Sequence, residues 1–256
     1  MNADRSSASP APRHAAVAVV GAGDFIGGAI AERFAAEGYR VYGGRRDGGK
    51  LAALKDKIEA AGGRFEARTL DARVEDQIAA FVAEADADQP LEAVIFNVGA
   101  NVNFPLLDTT DRVFRKVWEM ACQAGFLTGR EAARHMLARG AGSIFFTGAT
   151  ASVRGGVGYA AFSSAKAGLR AVAQAMAREL GPQNIHVAHL IIDAGVDTAF
   201  VRGRIAAARG EAALEAMAPD TLMEPTSIAD AYWMLHQQRR DGWTFELDLR
   251  PFAEAW

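Results

Sequence analysis

Residues 142–170 read GSIFFTGATASVRGGVGYAAFSSAKAGLR. An apolar run, Ser143 to Thr147, enters a glycine-rich turn, and the chain leaves that turn into a long alanine-rich segment from Tyr159 to Leu180. The run has the length and composition of a strand buried on both faces. The segment is rich in helix formers and is stopped by Gly181-Pro182. A strand that feeds a helix through glycines is the repeating unit of a parallel sheet, and ligands bind beyond the carboxyl ends of such strands.

The same join recurs on either side. Ala15 to Val20 is a second apolar run, ending in Gly21-Ala22-Gly23-Asp24-Phe25-Ile26-Gly27-Gly28 before a helix that Gly38 stops. Strands are expected at Tyr39 to Gly43, Arg64 to Leu70 and Leu91 to Phe96, with helices from Lys50 to Ala61 and Glu75 to Ala85 between them. After Asn97-Val98-Gly99-Ala100, a long helix that Asp108 can cap is expected to run to Arg139. Beyond the central stretch come a strand at Ile185 to Ile192 and an alanine-rich helical insertion at Thr198 to Met217. A helix at Thr226 to Gln238 and a last strand at Thr244 to Leu249 follow. This alternation predicts an α/β fold: a Rossmann-type doubly wound parallel sheet of about seven strands, in one domain over 15–256. The opening 1–14, with two prolines and no apolar core, reads as a disordered tail and not as a signal peptide.

Composition narrows the function. With 256 residues the chain is long enough for one large core. A net charge of −3 gives no overall basic field for nucleic acid or an anionic membrane. The lone Cys122 excludes an intramolecular disulfide and a cysteine-cluster metal site, and the five histidines show no metal-binding spacing. No apolar run reaches the roughly 18 residues that span a bilayer. The expectation is a cytoplasmic protein without metal, nucleic-acid or membrane partners.

Glycines after a first strand let the backbone approach a dinucleotide pyrophosphate, and the following helix turns its N-terminus to the charge. Gly21, Gly23 and Gly27, with Phe25 and Ile26 between them, meet that need; a tight turn without a ligand is the plainer alternative. The end of the second strand distinguishes cofactors. A carboxylate there would hold the adenosine ribose of NAD(H), but the chain offers Arg45 and Arg46. A guanidinium suits a 2′-phosphate, so NADP(H) is favoured and NAD(H) remains possible. Asp71, followed by Ala72, could hold the adenine amino group or cap the next helix.

Together these markers resemble the short-chain dehydrogenase/reductase family over about Ala15 to Leu249. They comprise the loop Gly21 to Gly27, Arg45, Asp71, Asn97-x-Gly99-Ala100, Tyr159 to Lys166, and Asp197-Thr198. The resemblance implies a dinucleotide cofactor touching Asn97, Gly99, Lys166 and Thr198, and a small carbonyl or alcohol substrate. It also implies pairing of the two long helices between subunits, as a homodimer or homotetramer. The family's chemistry uses a tyrosine four residues before a lysine, a serine thirteen before that tyrosine, and an asparagine that holds a relay water. Only Lys166 matches. Phe162 stands at the tyrosine position, Ala149 at the serine position, and Ala121 or Cys122 at the asparagine position. Asp193-Ala194 replaces the Pro-Gly that usually follows strand six, and Asp24 sets a carboxylate beside the pyrophosphate loop.

Substitute hydroxyls are at hand. Tyr159 lies two turns before Lys166, and Thr147, Thr150 and Ser152 flank Ala149. Strand alternation puts Thr147 on the side of Ala149. Met217, Leu222, Met223 and the 198–220 insertion are expected to close an apolar pocket. Ser163-x-x-Lys166 is the spacing of an acyl-transfer pair, but its partner motifs are absent. Two readings follow: an NADP(H)-dependent oxidoreductase with an altered proton donor, or an inactive NADP(H)-binding sensor or silent subunit.

Overall fold

A computed structural model describes residues 11–254. Seven parallel strands form one sheet in the order β3-β2-β1-β4-β5-β6-β7. The strands are β1 (Ala16–Val20), β2 (Arg40–Arg45), β3 (Arg64–Thr69), β4 (Leu91–Phe96), β5 (Gly142–Thr147), β6 (Ile185–Ile192) and β7 (Glu246–Leu249). The order reverses between β1 and β4, which opens a crevice at their carboxyl ends.

Strands β1, β4, β5 and β6 are almost wholly buried because helices cover both sheet faces. One face carries α1 (Ile26–Ala36), α2 (Ala52–Ala60) and α9 (Pro225–His236). There Phe34, Ile58 and Trp233 pack on Val17, Val19 and Leu190. The other face carries α3 (Glu75–Asp88), α5 (Ala124–Arg139) and α6 (Ala160–Leu180), with Phe81, Met136 and Leu169 packed on Val94, Phe146 and Val187. At about 25 cal/mol per Å² of apolar surface, these two layers are the main source of stability. Two further helices, α7 (Ala199–Arg209) and α8 (Glu211–Glu215), overhang the carboxyl end of the sheet.

Three sequence expectations change. The first concerns the tail. Residues 1–10 lie outside the described residues, but Arg13 belongs to the fold: its backbone N–H donates to Gly38 at 2.8 Å and its guanidinium to Glu37. The second concerns the long helix. It is α4 (Asp111–Trp118), a π-helical turn at Glu119–Gln123, and then α5. The π turn sets Ala121 and Cys122 in a cluster with Ala161, Phe162 and Ala165 of α6. Third, Thr110 and not Asp108 caps α4, accepting from the Val113 N–H at 3.3 Å; Asp108 ends a preceding short turn.

Candidate functional site

The glycine loop is built for close approach. Gly21 has φ +92°, and a Cβ there would lie 2.5 Å from the Asn97 carbonyl oxygen. A Cβ on Gly27 would lie 2.2 Å from the Gly21 oxygen, so α1 can pack against the loop only through glycine. Asn97 returns a hydrogen bond from Nδ2 to the Gly21 carbonyl at 3.1 Å, tying the end of β4 to the loop. Gly23 and Gly99 differ: a Cβ on either would meet nothing within 4 Å, because both face the crevice. Phe25 and Ile26 begin α1, and no side chain caps it, so its first N–H groups stay open to an anion. These residues fit a dinucleotide pyrophosphate.

A cavity of about 390 Å³ lies beside the loop, lined by Arg45, Arg46, Lys50, Asp71, Ala72 and Met120 among others. Met120, from the π turn, fits the apolar three-and-four spacing of the long helix, which did not mark it as a site residue. Arg45 is not free, because it donates to Asp24 at 2.8 Å. That pair neutralises the Asp24 carboxylate, which lines the cavity next to the loop. Arg46 is exposed. Asp71 neither caps α3 nor stands free: its carboxylate accepts from the Arg73 guanidinium, which holds its pKa below the usual value.

A larger cavity of about 1090 Å³ runs from the glycine loop to α7. Lys166 stands in its wall, 3% exposed. Its Nζ donates to the Thr147 carbonyl at 2.7 Å and reaches the Val98 carbonyl at 3.5 Å. Burial lowers its pKa to about 8, so the ammonium titrates close to neutrality. The Phe162 ring, one turn earlier on α6, lies with its centroid 5.9 Å from Nζ. Tyr159 is the N-cap of α6 and also lines the cavity, its ring 6.3 Å from that of Phe162. Ala149 and Thr198 line the cavity too, and the Thr198 hydroxyl caps α7.

The substitute hydroxyls are mostly engaged elsewhere. Thr147 lines the same cavity as Ala149, but its side chain is engaged across the sheet. Its hydroxyl bonds the Tyr232 hydroxyl of α9 at 2.7 Å, in the opposite layer. Ser152 accepts from the Ala149 N–H at 3.1 Å. Thr150 donates to Asp193, a carboxylate 2% exposed that also pairs with Arg154 and Arg250. Met217 and Leu222 do line the cavity, whereas Met223 is buried under α9 and bridges to Val196.

Behind Lys166 lies a group of residues that no sequence motif announced. His189 of β6 is fully buried, and its Nδ1 lies 3.2 Å from Glu246 Oε2 of β7. Glu246 in turn accepts from Arg170 at 2.5 and 2.7 Å. Among the described residues no group of three or more His, Cys, Asp or Glu could hold a metal ion, and no helix is long and apolar enough to cross a membrane.

Relatives share this architecture. The crystal structure of a short-chain dehydrogenase from Rhodopseudomonas palustris is 61% identical, with a TM-score of 0.82 over 94% of this chain and 100% of that one. A putative NAD(P)-dependent gluconate 5-dehydrogenase from Beutenbergia cavernae, solved with bound NADP, is 25% identical. Its TM-score is 0.81 over 94% of this chain and 96% of that one. The 3-oxoacyl-acyl-carrier-protein reductase MabA of Mycobacterium bovis is 29% identical over 186 residues, 73% of this chain and 71% of that protein. The match to the 2-dehydro-3-deoxy-D-gluconate 5-dehydrogenase of Pseudoalteromonas atlantica, at 25% identity, spans 52% of this chain and 53% of that protein. Residues 15–208, which carry the glycine loop, the crevice and Lys166, match the family described as short chain dehydrogenase. By that match and by its likeness to the Rhodopseudomonas palustris structure, the chain belongs to the short-chain dehydrogenase family.

Proposed function

We propose that the protein is an NADP(H)-dependent oxidoreductase acting on a small carbonyl or alcohol, with Lys166 as the acid in place of the family's tyrosine. The observation that carries this reading is the buried Lys166 ammonium beside a phenyl ring, at the edge of a cavity continuous with the glycine loop. Bound in that crevice, the dinucleotide would supply or accept the hydride. The chain supplies orientation and charge. Gly21, Gly23 and Gly27 with the N-terminus of α1 hold the pyrophosphate, and Asn97 and Gly99 shape the floor beneath the nicotinamide.

The Thr147 carbonyl takes one N–H of Lys166 and the Val98 carbonyl is reached only at 3.5 Å, so the ammonium keeps N–H for the substrate, and its pKa of about 8 suits proton exchange near neutral pH. Phe162 fills the tyrosine's place with a ring that has no proton to give, and Ala149 fills the serine's place. The Tyr159 hydroxyl is the nearest phenol along α6 and serves substrate contact. Arg46 and Lys50, in the smaller cavity, favour a 2′-phosphate and hence NADP(H) over NAD(H). The exposed Phe114, Trp118 and Phe126 of α4 and α5 favour a homodimer or homotetramer.

The second reading, a binding protein without turnover, is favoured by the same absence of a hydroxyl at Phe162. Fluorescence titration with NADPH, followed by a screen of aldehydes, ketones and alcohols at the nicotinamide absorbance, separates the two. Turnover that survives Tyr159→Phe and is lost in Lys166→Ala supports the enzyme. Binding with no turnover across the panel supports the sensor, and no binding of either dinucleotide overturns both.

A further inference from the structure

Ser163, Lys166 and Arg170 follow one another at three and four residues and form one stripe of α6. The charged groups facing the His189 imidazole are Lys166 and Arg170 from this stripe and Glu246 from β7. Glu246 is held ionised by Arg170, its pKa lowered by that hydrogen bond. A carboxylate only accepts, so His189 Nδ1 carries the hydrogen. Burial pushes the imidazole pKa down to about 4, and the ring is neutral. Nε2 is therefore a bare lone pair, fully buried and without a hydrogen-bond partner among the described residues. Such an atom is costly to bury unless something donates to it.

Its position indicates the donor. The ring edge lies against Gly148, where a Cβ would come within 2.5 Å of both Cε1 and Nε2. The Lys166 ammonium is bonded to the carbonyl of the preceding residue, Thr147. Orphan acceptor and ammonium thus meet at one peptide unit, and the ammonium has an N–H to spare.

We propose that His189 is a positioning residue for Lys166: its Nε2 accepts, through one bound water, one N–H of the ammonium and leaves another for the substrate, while Glu246 and Arg170 fix the tautomer that makes this possible. The proposal rests on the reading of Lys166 as the working ammonium. The orphan Nε2 and the ammonium flank one peptide unit, and a water between them would have both as partners. The acceptor favours the charged lysine and offsets part of the desolvation that would otherwise strip its proton.

The test is the titration of Lys166 in the full-length protein without ligand, followed by its side-chain carbon resonance. In His189→Leu the acceptor is gone, and the Lys166 pKa is expected to fall by roughly one unit. In His189→Gln an amide oxygen reaches toward the Nε2 position, and the wild-type value is expected to be largely restored. With a turnover assay in hand, the alkaline limb of carbonyl reduction moves down by the same shift while KM for NADPH is unchanged. A folded His189→Leu protein whose Lys166 titrates as in wild type overturns the proposal. Should that variant not fold, the long-range nitrogen spectrum of the wild-type imidazole decides. A hydrogen-bonded Nε2 acceptor is expected, and an unbonded one overturns the proposal. The titration is independent of catalysis, so absence of any NADPH-dependent turnover would remove the oxidoreductase reading and leave this result standing.

Discussion

The Phe162 ring centroid lies 5.9 Å from Lys166 Nζ, one helical turn away on the same face of α6. A phenol at this position would place its hydroxyl beside the ammonium and in the cavity that Phe162 lines. Phe162→Tyr is therefore expected to raise kcat for carbonyl reduction by about a hundredfold or more, the usual worth of a positioned general acid. NADPH affinity should not change. Steady-state kinetics of wild type and variant on the same substrate panel check this; an unchanged kcat means that Lys166 already does the acid's work without help.

Thr147 has a structural task. Its hydroxyl and that of Tyr232 satisfy each other in a fully buried layer. Thr147→Val strands the Tyr232 hydroxyl and should cost about 1–3 kcal/mol of stability in urea melts. The double variant with Tyr232→Phe should recover much of that loss, since both polar groups are then gone. Turnover is expected to survive, because Lys166 is bonded to the Thr147 backbone and not to its side chain.

Cofactor choice should follow Arg46. Arg45 already serves Asp24, which leaves Arg46 as the guanidinium open to a phosphate in the smaller cavity. Arg46→Ala is expected to weaken NADPH binding about tenfold or more while leaving NADH within a factor of about two, in keeping with the worth of charge-assisted hydrogen bonds. Parallel fluorescence titrations with the two dinucleotides measure the ratio.

His236 makes the fold sensitive to acid. It is largely enclosed by Phe34, Tyr39 and Trp233, and desolvation there lowers its pKa from 6.5 to about 4. The unfolded chain thus binds the proton more tightly than the folded one. The contribution of the neutral ring is fully present above about pH 6.5 and is lost as pH falls through the window down to 4. Each such group steepens the fall by up to about 1.4 kcal/mol per pH unit inside that window. His189, also near 4, acts in the same direction. Urea melts from pH 7 to 4 should show this slope, and His236→Phe should reduce it by about one proton.

The order of elements was legible because its signals are local. Apolar runs of strand length, glycines at the strand ends and Gly181-Pro182 after α6 marked all seven strands and the main helices to within a few residues. The match of Lys166 to the family pattern, with Phe162 one turn before it, is also a property of sequence spacing alone, since i to i+4 on a helix fixes a shared face. The pairings that set the chemistry were not legible. Thr147 meets Tyr232 across 85 positions, and His189 meets Glu246 across 57. Arg45 is claimed by Asp24, and the long helix yields a π turn that brings Met120 to the smaller cavity. Each of these depends on strand register and on which layer a side chain enters. Both are decided when the two faces of the sheet are covered, and a linear pattern does not carry that information. The sequence by itself determined the sheet, the glycine cradle and the lysine. Only the tertiary structure decided which neighbours hold that lysine's charge, because burial and partners separated by dozens of residues, and not residue type, set the pKa of a buried group.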